Sequence, residues 1–135
     1  MMIVTHHSVR SGLHLTSGVN LTKVESLAMF SSEKYCRVPI LDTKGLIRLL
    51  CFEPGQSVAL HTHPKSDECF FVVEGKGKIT IGGKQQDAES GCIMKAPAGV
   101  AHQWKAGAHR LTLLSMLMPT SAYDLANEAT EQKLV

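Results

Sequence analysis

The sequence predicts an all-β fold in a single domain with a short helix at its C-terminal end, and three observations predict it. Short apolar runs recur along the chain, each bounded by glycine, proline or polar breaks, as strands joined by turns require. Turn sequences such as Gly82-Gly83 and Glu53-Pro54-Gly55 fall between those runs. His61 and His63 stand two apart, which places both imidazoles on one face of an extended segment.

In chain order, residues 1–23 read as an N-terminal arm, 24–118 as the strand-rich body and 119–135 as a helical tail. The opening Met1-Met2-Ile3-Val4-Thr5-His6-His7 lacks the apolar stretch of a signal peptide. Residues 24–30 form a first apolar run, read as a strand. After the turn Asp42-Thr43-Lys44-Gly45, Leu46–Phe52 forms another. His61 and His63 belong to the next extended segment, and the loop Pro64-Lys65-Ser66-Asp67 follows. Glu68 then opens the run Cys69-Phe70-Phe71-Val72-Val73. Lys78-Ile79-Thr80-Ile81 and Lys84-Gln85 flank Gly82-Gly83 as a hairpin. Residues 110–118 make a final strand that Pro119 stops. Ser121 and Asp124 form a capping pair that opens helix-favouring sequence as far as Lys133.

The composition restricts function. The chain is 44% hydrophobic with a net charge of +2, as expected of a soluble globular domain with its own core. Its basic residues are scattered and not interleaved with aromatics, so nucleic acid is not an expected partner. No apolar stretch approaches the ~20 residues of a membrane helix. The four cysteines (Cys36, Cys51, Cys69 and Cys92) show no CxxC spacing. They read as reduced, mostly buried thiols of a cytoplasmic protein.

The chemistry lies in His61, His63, Glu68 and His102. Glu68 at the start of its strand can sit beside the two imidazoles, and His102, after Pro97-Ala98-Gly99, can complete the set from a third strand. Neutral imidazoles with a carboxylate suit one divalent first-row ion: Fe, Mn, Ni, Co, Cu or Zn. Four protein ligands on an octahedral ion leave two positions for water, substrate or dioxygen. The alternative is a metal-free barrel with hydrogen-bonded core histidines, in which the converging groups would repel or protonate one another.

These residues carry a resemblance to the cupin superfamily. Gly55, His61, His63, Glu68 and Gly75 match the offsets of the first cupin motif, and Gly91, Pro97, Gly99 and His102 those of the second. The spacer, residues 76–90, is short, as in compact bacterial members. Two positions depart from the pattern: Ala106 stands where an Asn is usual and Cys92 where an Asp is common. The resemblance implies a small double-sheet jelly-roll β-barrel (a double-stranded β-helix) with the metal inside, held by His61, His63, Glu68 and His102.

The spacing assigns faces. Ala59 shares the inward face of His61 and His63, while Val58, Leu60 and Thr62 point out. Glu68, Phe70 and Val72 point in, and Cys69, Phe71 and Val73 point out. This outward set is too apolar for a solvated face, so either residues 1–30 or a second subunit must cover it. A homodimer is the favoured expectation. Phe70, Val72 and Trp104 are expected to wall a small-molecule pocket beside the metal, although Trp104 serves equally well as plain core. Arg48, if inward, would clamp a substrate carboxylate; if outward, it would reach solvent or a partner. His6, His7, His14 and His109, like Lys65 and Asp67, read as surface residues.

Three functions fit. A metal-dependent dioxygenase acting on a small organic molecule ranks first, because it needs no separate acid or base. A metal-dependent binding or sensing module without turnover follows. An isomerase or decarboxylase ranks third, since it wants a proton carrier that the inward face does not obviously supply.

Overall fold

The computed structural model describes residues 21–42 and 45–120. Eight strands follow in order: β1 (Cys36–Asp42), β2 (Leu46–Phe52), β3 (Ser66–Glu74), β4 (Lys76–Ile81), β5 (Lys84–Glu89), β6 (Ile93–Ala96), β7 (His102–Ala106) and β8 (Leu111–Pro119). They build a five-stranded sheet in the order β1-β2-β8-β3-β6 and a three-stranded sheet in the order β5-β4-β7. Every pairing is antiparallel. The all-β jelly-roll expectation holds. The expected C-terminal helix lies outside the described residues, and among the described residues no helix is long and apolar enough to cross a membrane.

The core fills the space between the sheets. Phe52, Phe70, Val72, Ile79, Trp104, Leu111 and Leu113 are all buried in one cluster. Their alternation along β3 and β8 is the period-two pattern of strands with one face inside. Tyr35 stacks on Phe52, and the Phe70 ring meets Trp104 edge to face.

Glycines set two of the connections. The β4–β5 hairpin turns on Gly82 and Gly83, both at positive φ, with Ile81 opposite Lys84. Two consecutive positive φ values match the twist of the flanking strands, as the sequence predicts. Between β3 and β4 the chain leaves one sheet for the other at Gly75. Its φ is +89°, and a Cβ there would lie 1.9 Å from the Arg110 carbonyl oxygen.

Several expectations are corrected. Residues 24–30 contain no strand; Val24–Leu27 is a turn of 3-10 helix. Val24 and Leu27 are three apart, and at three residues per turn they share a side. With Ala28, Met29 and Phe30 they pack on a second cluster formed by Val38, Leu49 and Cys51, on the outer face of the large sheet. That face also receives Val73, so the segment supplies part of the cover the apolar outward set requires.

Strands β1 and β6 are additions to the sequence-based expectation. Strand β1 is an edge, and it tolerates Pro39 beside a register shift between Pro39 and Leu41. Strand β3 begins at Ser66, inside the expected loop. The cysteines are all free, but only Cys51 is fully buried; the other three are half-buried.

Candidate metal centre

His61 and His63 reach the site without a regular strand. Ser57 bridges Lys105 and His61 bridges His102, so four steps on one segment oppose three on the other. The extra residue is a bulge, and it reverses the face of everything before it. Val58 therefore packs against the core and Ala59 is exposed, opposite to the expectation from simple alternation. Leu60 and Thr62 do face outward.

Beyond the bulge, His61 and His102 exchange two backbone hydrogen bonds: His61 N–H donates to the His102 carbonyl, and His102 N–H to that of His61. This locks two of the imidazoles side by side, with ring centroids 4.4 Å apart. His63 is seated by the neighbouring turn. Val100 N–H donates to the Pro97 carbonyl, with Gly99 at φ +80° in the third position, the arrangement of a type II turn. Gly99 N–H donates to the His63 carbonyl at 2.9 Å. The Asp67 carboxylate ties the turn down by accepting Ala98 N–H at 2.8 Å. Asp67 is thus a bracket for the site, not the solvated loop residue the sequence suggested.

The quartet converges. One donor atom from each of His61, His63, Glu68 and His102 lies within 4.8 Å of the others. Glu68 Oε1 is 3.0 Å from His63 Nε2 and 2.9 Å from His102 Nε2. Neighbouring ligands at right angles on an ion with ~2.1 Å bonds stand about 3.0 Å apart, so both spacings suit a shared ion. The outer ring nitrogens have fitting partners. His61 Nδ1 is 2.6 Å from the Ala59 carbonyl and His102 Nδ1 is 3.2 Å from that of Val100. A proton on Nδ1 in each would satisfy those carbonyls and present the Nε2 lone pair to a metal. The buried His63 Nε2 makes no hydrogen bond among the described residues, an orphaned atom that an ion would satisfy.

Electrostatics hold Glu68 and His63 in the forms a metal would need. Burial pushes the Glu68 carboxyl upward, but hydrogen bonds from His102 and Ser115, with Arg48 nearby, bring it down to about 2. Burial holds His63 below the usual imidazole range, so it is neutral at neutral pH. Burial acts the same way on His102, but the Glu68 and Val100 oxygens outweigh it and raise that group.

Arg48 faces inward on β2, with Nη2 3.5 Å from Glu68 Oε2. Phe70 stands against the His102 ring at 5.8 Å, and Trp104 packs behind it, its indole N–H without a partner among the described residues. Val72 belongs to the same buried cluster. Sequence reasoning missed Ser115, whose hydroxyl donates to Glu68 Oε2. Its signal was present: an alcohol on the same strand face as Leu111, Leu113 and Leu117 in the run Leu111-Thr112-Leu113-Leu114-Ser115-Met116-Leu117.

Comparison with known proteins agrees with this geometry. The chain is 33% identical over 72 residues to quercetin 2,3-dioxygenase of Bacillus subtilis, covering 53% of this chain and 21% of that protein. It is 33% identical over 64 residues to 5-nitrosalicylic acid 1,2-dioxygenase of a Bradyrhizobium species, covering 47% and 30%. The chain thus spans less than a third of either enzyme's length. Among solved structures, the TT1209 protein of Thermus thermophilus superposes with a TM-score of 0.71 at 27% identity, over 73% of this chain and 96% of that one. A protein of Klebsiella pneumoniae with a double-stranded β-helix domain gives 0.69 at 24% identity, over 76% and 91%. The cupin domain family matches residues 48–116, just over half of the sequence and all four converging side chains. This chain belongs to the cupin family.

Proposed function

We propose that the protein is a mononuclear metal-dependent dioxygenase acting on a small organic molecule. The observation that carries this reading is the composition of the buried site. Among the described residues, Glu68 and His102 are the only fully buried carboxylate and imidazole, and both belong to the quartet. Isomerisation or decarboxylation wants a further acid or base within reach of substrate. Oxygen chemistry at a redox ion does not. The names of two curated relatives, both dioxygenases, point the same way.

A bound divalent ion (Fe, Mn, Ni, Co, Cu or Zn) would supply Lewis acidity and, for the redox metals, electron transfer. The protein's part is to hold and to shield. His61, His63 and His102 would donate neutral nitrogens and Glu68 a single negative charge, which would leave a divalent centre with a net charge of +1. Arg48 adds a second positive charge, which favours an anionic substrate oxygen on that side. With Nη2 turned to Glu68, Arg48 acts on such a substrate through its field, not as a free two-pronged clamp. Phe70 and Trp104, with Val72, form the apolar wall that excludes water.

Oxygen uptake by the Fe(II)-loaded protein, offered a panel of diketones, catechols and thiols, tests the reading. Uptake matched by product supports it. Tight ligand binding with neither uptake nor product favours a non-catalytic binding or sensing module. Turnover with Zn or Mn in the absence of oxygen favours an isomerase or decarboxylase.

We also propose that two copies pair through the outer face of the large sheet. Phe71 (37% exposed) and Ile93 (65% exposed) are direct neighbours across β3 and β6, beyond the area that the 24–30 segment covers. A monomeric mass by light scattering would remove this proposal.

A further inference from the structure

Glu68 is the one ligand of the quartet with two equivalent donor atoms, and the structure gives them different partners. Oε1 faces His63 and His102. Oε2 turns away, accepts the Ser115 hydroxyl and stands 3.5 Å from Arg48 Nη2. Arg48 on β2 and Ser115 on β8 are directly opposite each other, and Ser115 is in turn opposite Phe70 on β3. The two side chains therefore share the inner face with Glu68, two residues before Phe70 on β3.

We propose that Ser115 and Arg48 are positioning residues for the metal centre. By engaging Oε2 they hold Glu68 as a one-oxygen ligand and so set how many coordination positions remain for substrate. This rests on the quartet being a metal site.

Competition for Oε2 decides the binding mode. A carboxylate with both oxygens free chelates a cation, and on a six-coordinate ion that takes a position otherwise open. With three nitrogens and one oxygen bound, two positions remain; with a chelating carboxylate, only one. Substrate together with dioxygen, or a substrate binding through two oxygens, needs two. The hydroxyl of Ser115 is completely buried at a position where β8 otherwise places leucine. A buried hydroxyl is disfavoured unless it is hydrogen-bonded, and Glu68 Oε2 is its partner. Arg48, itself largely buried, meets no other carboxylate among the described residues. Its charge favours leaving Oε2 anionic and turned toward the guanidinium, away from the ligand centre. Ligand carboxylates in metal sites depend on such outer partners for orientation.

The test is a Co(II) titration of the apo full-length chain and of Ser115→Ala, Arg48→Met and Ser115→Thr, read by visible absorption. Apo melting temperatures confirm that each variant folds. Ser115→Ala and Arg48→Met should each change Co(II) affinity by about 10- to 100-fold. Both should alter the absorption spectrum as Glu68 gains freedom to chelate. Ser115→Thr, which keeps the hydroxyl, should recover the wild-type spectrum, a result that a loss of packing alone would not produce. Wild-type Co(II) uptake combined with unchanged affinity and superimposable spectra in Ser115→Ala and Arg48→Met overturns this inference and leaves the metal reading standing. A wild-type chain that takes up no Co(II) overturns both.

Discussion

At the residue scale, the site depends on where protons sit. Glu68 is held down to about 2, so its contribution to the stability of the apo protein is complete above the ordinary carboxylate value of 4.5. That contribution is lost as pH falls from there through about 2. Acid unfolding of Glu68→Gln should therefore lack the loss of stability that the unsubstituted protein shows across that range, as denaturant melts at stepped pH would reveal. Metal occupancy should fail earlier, because protons compete for His102, raised by its Glu68 contact. Occupancy that stays flat down to about pH 4 contradicts neutral imidazoles as ligands. Two glycines test backbone geometry in the same way. Gly75→Ala combines a positive φ with a Cβ overlapping the Arg110 carbonyl, whereas Gly55→Ala meets the φ penalty in open space. Gly75→Ala should cost about 2–4 kcal/mol and Gly55→Ala about 1–2 kcal/mol in chemical denaturation. Equal losses would show that the close approach at Gly75 carries no weight.

At the element scale, what was legible followed the strength of the local rule. Gly82-Gly83 encoded the hairpin because two consecutive positive φ values admit few other residues. The quartet was readable because few residue types hold a transition metal. The side chain at residue 58 was misassigned because one extra residue before His61 inverts a period-two pattern, and nothing in Val58-Ala59-Leu60 marks a bulge. Strand β1 was hidden by Pro39, which an edge accepts and a central strand would not. Residues 24–30 look like a strand by composition, yet among the described residues they pair with no strand and settle on the outer face by their three-residue spacing. The tie from Asp67 to Ala98 joins two elements that sequence separation concealed. Asp67→Ala should lower stability by about 0.5–1.5 kcal/mol and also weaken metal binding, because the freed turn no longer seats His63 through Gly99. Stability loss with unchanged metal affinity would show that the turn is not part of the site's support.

At the scale of the whole molecule, the bridge from His61 to β7 explains why residues as far apart in sequence as His61 and His102 can share an ion. The family resemblance anticipated two sheets with the site between them, and the fold places β3 with β8 in one sheet and β7 in the other. Glu68 reaches across from the first and His102 from the second, so a shared ion would tie the sheets together. Apolar packing supplies the container, and the quartet, with Ser115 and Arg48 behind it, is the polar island the container encloses. The central claim is that these four side chains hold a single cation. Elemental analysis after loading with a divalent metal and removal of excess tests it most directly, on the unsubstituted chain and on a His63→Ala, Glu68→Ala double variant. One ion per chain is expected in the first and nearly none in a folded second. Equal metal content in both, or none in either, would contradict it.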